Sequence, residues 1–510
     1  MNNFTNAIFC IIVAMLANIN PKSLLSLILG PSVFTFTLLF VQPAGMSEQA
    51  QAVLAVTLWV AIWWATEVVP LAITSLLPII LFPLTGGLEM KPTANNYGHP
   101  LIFLFVGGFI LALAMEKWNL HRRIALNIIA AIGTNTRMIV LGFMIATGFL
   151  SMWISNTATT VMMLPIGLAI IHQFREFAHR NDELQGGLDN FAKGLMLCIA
   201  YSASIGGMAT LVGTPTNIVF RGFVEQFYQV EISFARWMLF ATPISVVLIF
   251  ICWWYVTTIS LPLKRLSIAG IKAEIQKQIQ ALGRLGHEER WVLGIFGLVA
   301  LAWMTRSYLL KPILPALDDS MIALIGATLL FVVPAGEKGK KIMDWETAVK
   351  LPWGILLLFG AGFAIAAGFQ ASGLALWVGN QMSALQSAPF ILILLTITAM
   401  VNFLTEINSN MATCTMILPV LAALSPAIGV HPYGLMIAAC LAASCAFMLP
   451  VATAPNAIVF GSGVIRMKDM MRVGVALNLL SILFIVAYVY LALPPIWELD
   501  LQTFPAEFMK

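Results

Sequence analysis

Ser151-Met152-Trp153-Ile154-Ser155-Asn156-Thr157-Ala158-Thr159 and Thr405-Glu406-Ile407-Asn408-Ser409-Asn410-Met411-Ala412-Thr413 stand at a constant offset of 254 residues. Around them, residues 105–166 align with 359–420 without a gap, with 17 identities in 62 positions. Phe105 and Gly108-Phe109 match Phe359 and Gly362-Phe363, Phe149-Leu150 matches Phe403-Leu404, and Leu164-Pro165 matches Leu418-Pro419. Several of the identities are polar, so shared hydrophobicity does not explain the match, and an internal repeat bears on the whole fold. Each polar cluster interrupts an apolar stretch, 137–173 and 387–425, that is too long for one membrane crossing. Irregular backbone survives at membrane depth only where protein or a wet cavity covers it. Both stretches are therefore expected to be re-entrant helical hairpins, each entering and leaving on one side.

The rest of the chain fits that reading. Of 510 residues 60% are apolar and 10% charged, with a mean hydropathy of +0.91. A soluble domain carries about 25% charged residues, so a water-soluble globule is excluded. Apolar runs near 24–42, 51–69, 71–86, 100–115, 194–212, 237–262, 291–304, 319–335, 351–368, 433–449 and 473–493 predict about eleven crossings beside the two hairpins. The expected fold class is thus an all-α polytopic membrane protein. No length remains for a large extramembrane domain, and a net charge of +4 gives no reason to expect a nucleic-acid partner. Residues 1–22 predict a short interfacial segment, since the apolar run there lacks a basic flank and a cleavage site. Segment 263–290 predicts an amphipathic basic helix on the cytoplasmic surface. Cys10, Cys198, Cys252, Cys414, Cys440 and Cys445 lie in apolar stretches and form no CxxC pair.

Positive charge sets the orientation. With 137–173 re-entering from the cytoplasm, Lys117, Arg122, Arg123, Arg137, Arg175, Arg180 and Lys193 all fall inside. So do the basic residues of 264–290, Lys338, Lys340, Lys341, Arg466, Lys468 and Arg472. Loops 42–50 and 369–432 contain no Lys or Arg. The N-terminus is then cytoplasmic, the tail 494–510 extracytoplasmic, and the second hairpin opens opposite to the first. Five crossings separate the hairpins, and an odd number inverts the second copy. Inverted repeats with broken helices near the midplane are the build of secondary transporters.

A second echo sharpens the chemistry: Gly213-Thr214-Pro215-Thr216-Asn217 resembles Ala452-Thr453-Ala454-Pro455-Asn456. The breaks offer hydroxyls, carboxamides and freed carbonyls, the neutral oxygens that a hard cation such as sodium takes. Ser151 precedes Ser155 by one helical turn, and Thr405 precedes Ser409 likewise. One sodium site is expected from Ser151, Ser155, Asn156 and the backbone at Gly213. Its mirror would use Thr405, Ser409, Asn410 and the backbone at Ala452. Alternatively, these hydroxyls simply bond back to the carbonyl at i−4; the repetition in register favours the sodium reading. New helices start just after each break, and their N-termini would attract an anion. Glu67 reads as an interfacial or helix-end residue and Glu406 as a packing or salt-bridge residue.

At Trp64-Ala65-Thr66-Glu67, the two Ser-Asn motifs and the two Thr-containing turns, the sequence resembles the divalent-anion/sodium symporter family of di- and tricarboxylate and sulfate carriers. The resemblance covers essentially the whole chain. It implies that the motifs hold substrate carboxylates as well as sodium, with substrate contacts at Asn156, Thr157, Thr214 and Pro215 and, in the second half, Asn410, Met411, Thr453 and Pro455. It also implies a homodimer and an elevator mechanism. The scaffold would be 23–130 and 291–380; the transport domain would be 136–262 and 386–493. Met411 replaces the family's Thr in the second motif, and Ala454 replaces Pro in the second turn.

The expected activity is sodium-coupled symport of a C4 dicarboxylate such as succinate, malate or fumarate, in the plasma (inner) membrane, with no cofactor beyond sodium ions. Sulfate symport and sodium-independent dicarboxylate exchange are alternatives on the same fold. An anion channel would have no need of paired cation sites, and an enzyme would need a nucleophile–base pair or metal ligands that the sequence does not offer. The orientation is testable with introduced cysteines. Gln42→Cys should react with an impermeant maleimide in intact cells, and Gln280→Cys only after lysis; the opposite pattern would invert the topology.

Overall fold

The computed structural model describes residues 21–133, 135–178, 185–264, 270–337 and 339–508. The segment expected at 1–22 lies outside the described residues up to position 20, and the 263–290 linker is described except for 265–269. Among the described residues the structure is helical, with no strand beyond one isolated bridge between Pro334 and Lys341.

In chain order the helices begin with α1 (Pro21–Phe40), α2 (Glu48–Thr66), α3 (Leu71–Thr74), α4 (Leu77–Thr85) and α5 (Met90–Asn95). There follow α6 (Pro100–Lys117), α7 (Leu120–Ile132), α8 (Thr136–Ser151), α9 (Asn156–Ala178), α10 (Gln185–Gly207), α11 (Pro215–Tyr228) and α12 (Phe234–Trp254). The middle of the chain forms α13 (Ile271–Ala281), α14 (His287–Thr305), α15 (Asp319–Val332), α16 (Trp345–Ala348), α17 (Trp353–Ala371) and α18 (Leu374–Gln381). The last five are α19 (Phe390–Leu404), α20 (Asn410–Ala427), α21 (Pro432–Ala443), α22 (Ala454–Gly461) and α23 (Met467–Trp497). Nine of the described helical segments are long and apolar enough to cross a membrane, and shorter apolar helices accompany them. The final helix runs through Pro494 and Pro495 to Trp497, beyond the expected start of the tail.

The chain divides into two packed units. The first comprises Met1–Gly98 and Trp353–Gln381. In it α1 lies on α2, where the buried Gln51 Nε2 donates to the carbonyls of Thr37 and Leu38 at 2.9 and 3.0 Å. Both carbonyls belong to the last turn of α1, where that of Thr37 also accepts from Val41 N at 3.2 Å. Glu67 caps the end of α2 in a left-handed conformation, φ 46°, and is exposed, as its helix-end reading predicts.

The second unit comprises His99–Pro352 and Met382–Lys510 and holds both copies of the Ser-Asn motif. Here α8 and α9 both pack on α10, and α19 and α20 both pack on α21. The short helices after the breaks then cross over between halves: α22 packs on α9 and α10, and α11 packs on α20 and α21. The repeat in sequence is therefore a repeat in packing, with the two copies interlocked. Close approach is made possible by small residues: Gly206 of α10 meets the backbone of Gly148 of α8. A buried ion cluster ties α11 to α15 through Arg221 Nη1, 2.6 Å from Asp319 Oδ2, and the loop after α11 to the turn after α14 through the pair of Glu231 and Arg306.

A methyl group at Gly206 would collide with the Gly148 carbonyl, a rigid neighbour. Overpacking of this kind costs about 1–3 kcal/mol. Gly206→Ala should lower the Tm of the purified protein, whereas Gly297→Ala, which faces open space on α14, should not. Equal melting of the two variants would contradict the tight α8–α10 crossing.

Candidate functional site

Both apolar stretches that carry the motif are broken where the polar residues stand. The first breaks between α8 and α9, the second between α19 and α20, and in each the new helix starts at the repeated asparagine, Asn156 or Asn410. Two further breaks interrupt the helices that follow. Residues 208–214 separate α10 from α11, and 444–453 separate α21 from α22, with Thr214 and Thr453 as the matching N-caps.

The motif residues meet these turns in the same way in both halves. Ser151 Oγ lies 2.5 Å from Asn156 Oδ1 and 2.7 Å from the carbonyl oxygen of Ala203. Thr405 Oγ1 lies 2.7 Å from Asn410 Oδ1 and 3.0 Å from the carbonyl oxygen of Ala443. A hydroxyl carries one proton and can donate to only one of two acceptors. Each cluster thus gathers three oxygens with more lone pairs than hydrogens, an arrangement that favours a cation. Both hydroxyl residues are fully buried. In the first half the turn adds further oxygens. A Cβ on Gly207 would stand 2.6 Å from Asn156 Oδ1 and 3.1 Å from the Gly213 carbonyl oxygen. One on Gly213 would stand 2.5 Å from the Gly207 carbonyl and 2.9 Å from that of Ser151. Only glycine lets these backbones approach so closely.

Of the sequence-based sodium ligands, the structure thus brings together Ser151, Asn156 and Gly213, and separately Thr405 and Asn410. The other three are placed differently. Ser155 Oγ accepts from Ala158 N at 3.2 Å and so caps α9. Ser409 stands at the matching N-cap of α20 without such a bond. Ala452 closes the far end of its turn through its N–H to the Leu449 carbonyl, while Ala443 meets Thr405. Among the expected substrate contacts, Thr157 is exposed and its repeat partner Met411 is buried. Thr214 is buried and Pro215 half-buried beside it; Thr453 is half-buried, its Oγ1 accepting from Asn456 N, and Pro455 is buried. The two turns lie side by side: Thr216 Oγ1 is 3.1 Å from Ser444 Oγ, and Tyr201 Oη donates to the Phe447 carbonyl at 2.8 Å.

The groups that hold the turns open were not singled out from sequence. Asn217 Nδ2 reaches the carbonyls of Gly207, Met208 and Thr210, the last at 2.6 Å. Asn456 Nδ2 does the same for Ala446 and Leu449, both at 3.0 Å. Each asparagine serves the carbonyls ten and seven residues before it, so the two turns are built alike. Its recurrence in both turn echoes was the available signal. Glu406, expected to pack or to pair with a cation, instead accepts backbone N–H groups of the second turn at Phe447, Met448 and Leu449. In the first turn that work falls to neutral groups: Thr210 Oγ1 donates to the Met152 carbonyl and accepts from Gly213 N.

Comparison with known proteins agrees with this architecture. The family described as the sodium:sulfate symporter transmembrane region matches residues 21–495. The chain is 49% identical over 485 residues to a protein of Staphylococcus saprophyticus named sodium-dependent dicarboxylate transporter SdcS, covering 94% of this chain and 93% of that one. Its counterpart of the same name in Staphylococcus aureus is 48% identical over 483 residues, with the same two coverages. Among solved structures, the YdaH transporter of Alcanivorax borkumensis superposes with a TM-score of 0.55 at 12% identity, over 78% of this chain and 86% of that one. MtrF of Neisseria gonorrhoeae, described within a class of antimetabolite efflux pumps, gives 0.53 at 11% identity, over 80% and 83%. At such identities the likeness is one of fold alone. The apolar helices and the match over nearly the whole chain make this an integral membrane protein that belongs to the sodium:sulfate symporter family.

Proposed function

We propose that this protein is a secondary active transporter that carries a C4 dicarboxylate, such as succinate, malate or fumarate, across the plasma (inner) membrane together with sodium. The observation that carries this reading is the pair of oxygen clusters, Ser151 with Asn156 and Thr405 with Asn410, each closed by a carbonyl of the neighbouring helix. One such cluster would be a local hydrogen-bond pattern; two in register across an inverted repeat suit two coupling ions. The relatives named as sodium-dependent dicarboxylate transporters support both the ion and the substrate class. Sulfate is the second reading, favoured by the family's description.

In this proposal sodium sits among Ser151, Asn156 and the Gly207 and Gly213 carbonyls, and among Thr405, Asn410 and the Ala443 carbonyl. Ser155, Ser409 and the backbone at Ala452 would complete the shells only by leaving the capping and turn positions they hold here. The anion sits at the N-terminal ends of α9, α11, α20 and α22, where free N–H groups and helix dipoles favour negative charge. Thr157, Thr214, Pro215, Thr453 and Pro455 line it, with Met411 narrowing the second half. No Lys or Arg stands at the breaks, so the sodium ions supply the balancing charge. We further propose about eleven crossings with two opposed re-entrant hairpins, a cytoplasmic N-terminus and an extracytoplasmic C-terminus. A homodimer would provide the static scaffold, 23–130 and 291–380, past which 136–262 and 386–493 move as an elevator. The cluster of Arg221, Glu231, Arg306 and Asp319 joins the two proposed parts and would have to open in that movement.

Two experiments test the reading. In proteoliposomes, Asn156→Ala and Asn410→Ala should each abolish sodium-driven succinate uptake while the purified protein stays folded. Unchanged sodium dependence in either variant removes that site. The second concerns pH. A site balanced by sodium and helix ends takes the dianion, and carboxyl groups titrate near 4. Succinate uptake should therefore fall as the pH drops towards 5, while sulfate, doubly charged throughout, competes no less well. Succinate uptake that rises on acidification would indicate a proton-coupled carrier instead.

A further inference from the structure

The two proposed sodium sites share a buried hydroxyl and an asparagine oxygen and differ in the charge beside them. Glu406 is 2% exposed and follows Thr405 directly. Its Oε1 accepts from Phe447 N at 2.7 Å, Met448 N at 2.9 Å and Asn478 Nδ2 at 2.7 Å, and its Oε2 accepts from Leu449 N at 3.0 Å. All four partners are donors. A protonated carboxyl would have to donate its own hydrogen, so the geometry suits the ionised form. Successive backbone N–H groups aimed at one point form an anion nest, and here the anion is a side chain of the same protein.

This carboxylate has no cationic side chain to answer it. Among the described residues, every recorded ion pair of Lys, Arg or His within 4 Å involves a different acid. Dipoles alone compensate a full charge incompletely in a low-dielectric interior. The repeat partner of Glu406 is Met152, which is neutral, and the first turn is secured by the Thr210 hydroxyl and the Asn217 amide. The hydroxyl and carboxamide ligands are of the same kinds in both halves, and the carbonyls of Gly207 and Gly213 are added in the first, so ligand number alone would favour the first site and charge the second.

We propose that Glu406 makes the two sodium sites unequal, so that the site of Thr405 and Asn410 binds more tightly and fills first. This rests on the sodium sites proposed above. Glu406 is outside the proposed ligand set; it acts through the field of a fixed charge on the residue next to Thr405. A unit charge several ångströms from a cation in such surroundings shifts its affinity by about tenfold or more. The same nest fixes the turn that begins just beyond the Ala443 carbonyl, so charge and geometry must be separated experimentally.

The test uses the full-length purified protein and reads the rise in Tm with sodium chloride against choline chloride at constant ionic strength, beside sodium-dependent succinate uptake in proteoliposomes. Asn156→Ala leaves only the second site and Asn410→Ala only the first. Asn156→Ala should reach half-maximal stabilisation at about tenfold lower sodium than Asn410→Ala; equal values, or the reverse order, overturn the proposal. Glu406→Gln removes the charge and keeps the Oε1 bonds but turns an amide NH2 towards Leu449 N, whereas Glu406→Asp keeps the charge and loosens the whole nest. Half-saturation should move to about tenfold higher sodium in Glu406→Gln, in both readouts, and less in Glu406→Asp. A Gln variant closer to the wild type than the Asp variant would assign Glu406 to geometry alone. If the Gln variant does not fold, the comparison of the two single-site variants still decides. Uptake with wild-type sodium dependence in both asparagine variants would instead remove the sodium sites themselves, an outcome distinct from two sites of equal affinity.

Discussion

A peptide group cannot be left without a hydrogen-bond partner in hydrocarbon, and every break in these helices has to answer that constraint. Four helices of the second unit stop at Ser151, Gly207, Leu404 and Ala443, and each end leaves carbonyls that a next turn of helix would have paired. Asn217 and Asn456 answer most of this debt within the two turns, each from the third position of a new helix back to carbonyls upstream. The carbonyls of Ala203 and Ala443 instead meet the hydroxyls of Ser151 and Thr405, which already face an asparagine oxygen. The breaks are thus stable because most of their polar groups are satisfied. They are suited to cations because a few oxygens remain in excess.

The interlocking of the halves follows from the shortness of α11 and α22. A helix of eight residues, as α22 is, cannot hold its position by its own hydrogen bonds. It needs neighbours, and both short helices find them in the opposite repeat, α22 on α9 and α10, α11 on α20 and α21. This exchange also sets the two turns side by side, with Thr216 against Ser444 and Tyr201 against Phe447. A substrate and two ions proposed to share one place therefore depend on contacts that neither half makes alone. The glycines at 148, 206, 207 and 213 let the backbones approach within these distances.

The symmetry is real in backbone and ligand type and broken in charge. Met152 and Glu406 occupy equivalent positions, yet one turn is secured by a hydroxyl and the other by a carboxylate. Met411 and Thr157 differ in the same spirit: one is buried, the other exposed. The internal repeat supplies two copies of each cluster, and substitutions of this kind make the copies differ.

The sequence by itself determined that the chain lives in a membrane, that it repeats, and where its helices break. Those features are local or periodic: apolar length, an offset of 254 with polar identities, and Ser-Asn pairs inside greasy stretches. Ser151 with Asn156 and Thr405 with Asn410 were legible because residues five apart across a helix start meet through the local backbone alone. What only the tertiary structure decided were the partners from elsewhere in the chain. Ala203 and Ala443 contribute carbonyls, which every residue has, so no residue type marks them. The service of Ser155 as a helix cap, the meeting of Thr405 with Ala443, and the nest around Glu406 depend on which turn packs against which break. That is settled by the crossing of α11 and α22 between halves, a matter of shape and packing at long range that no spacing in the sequence encodes.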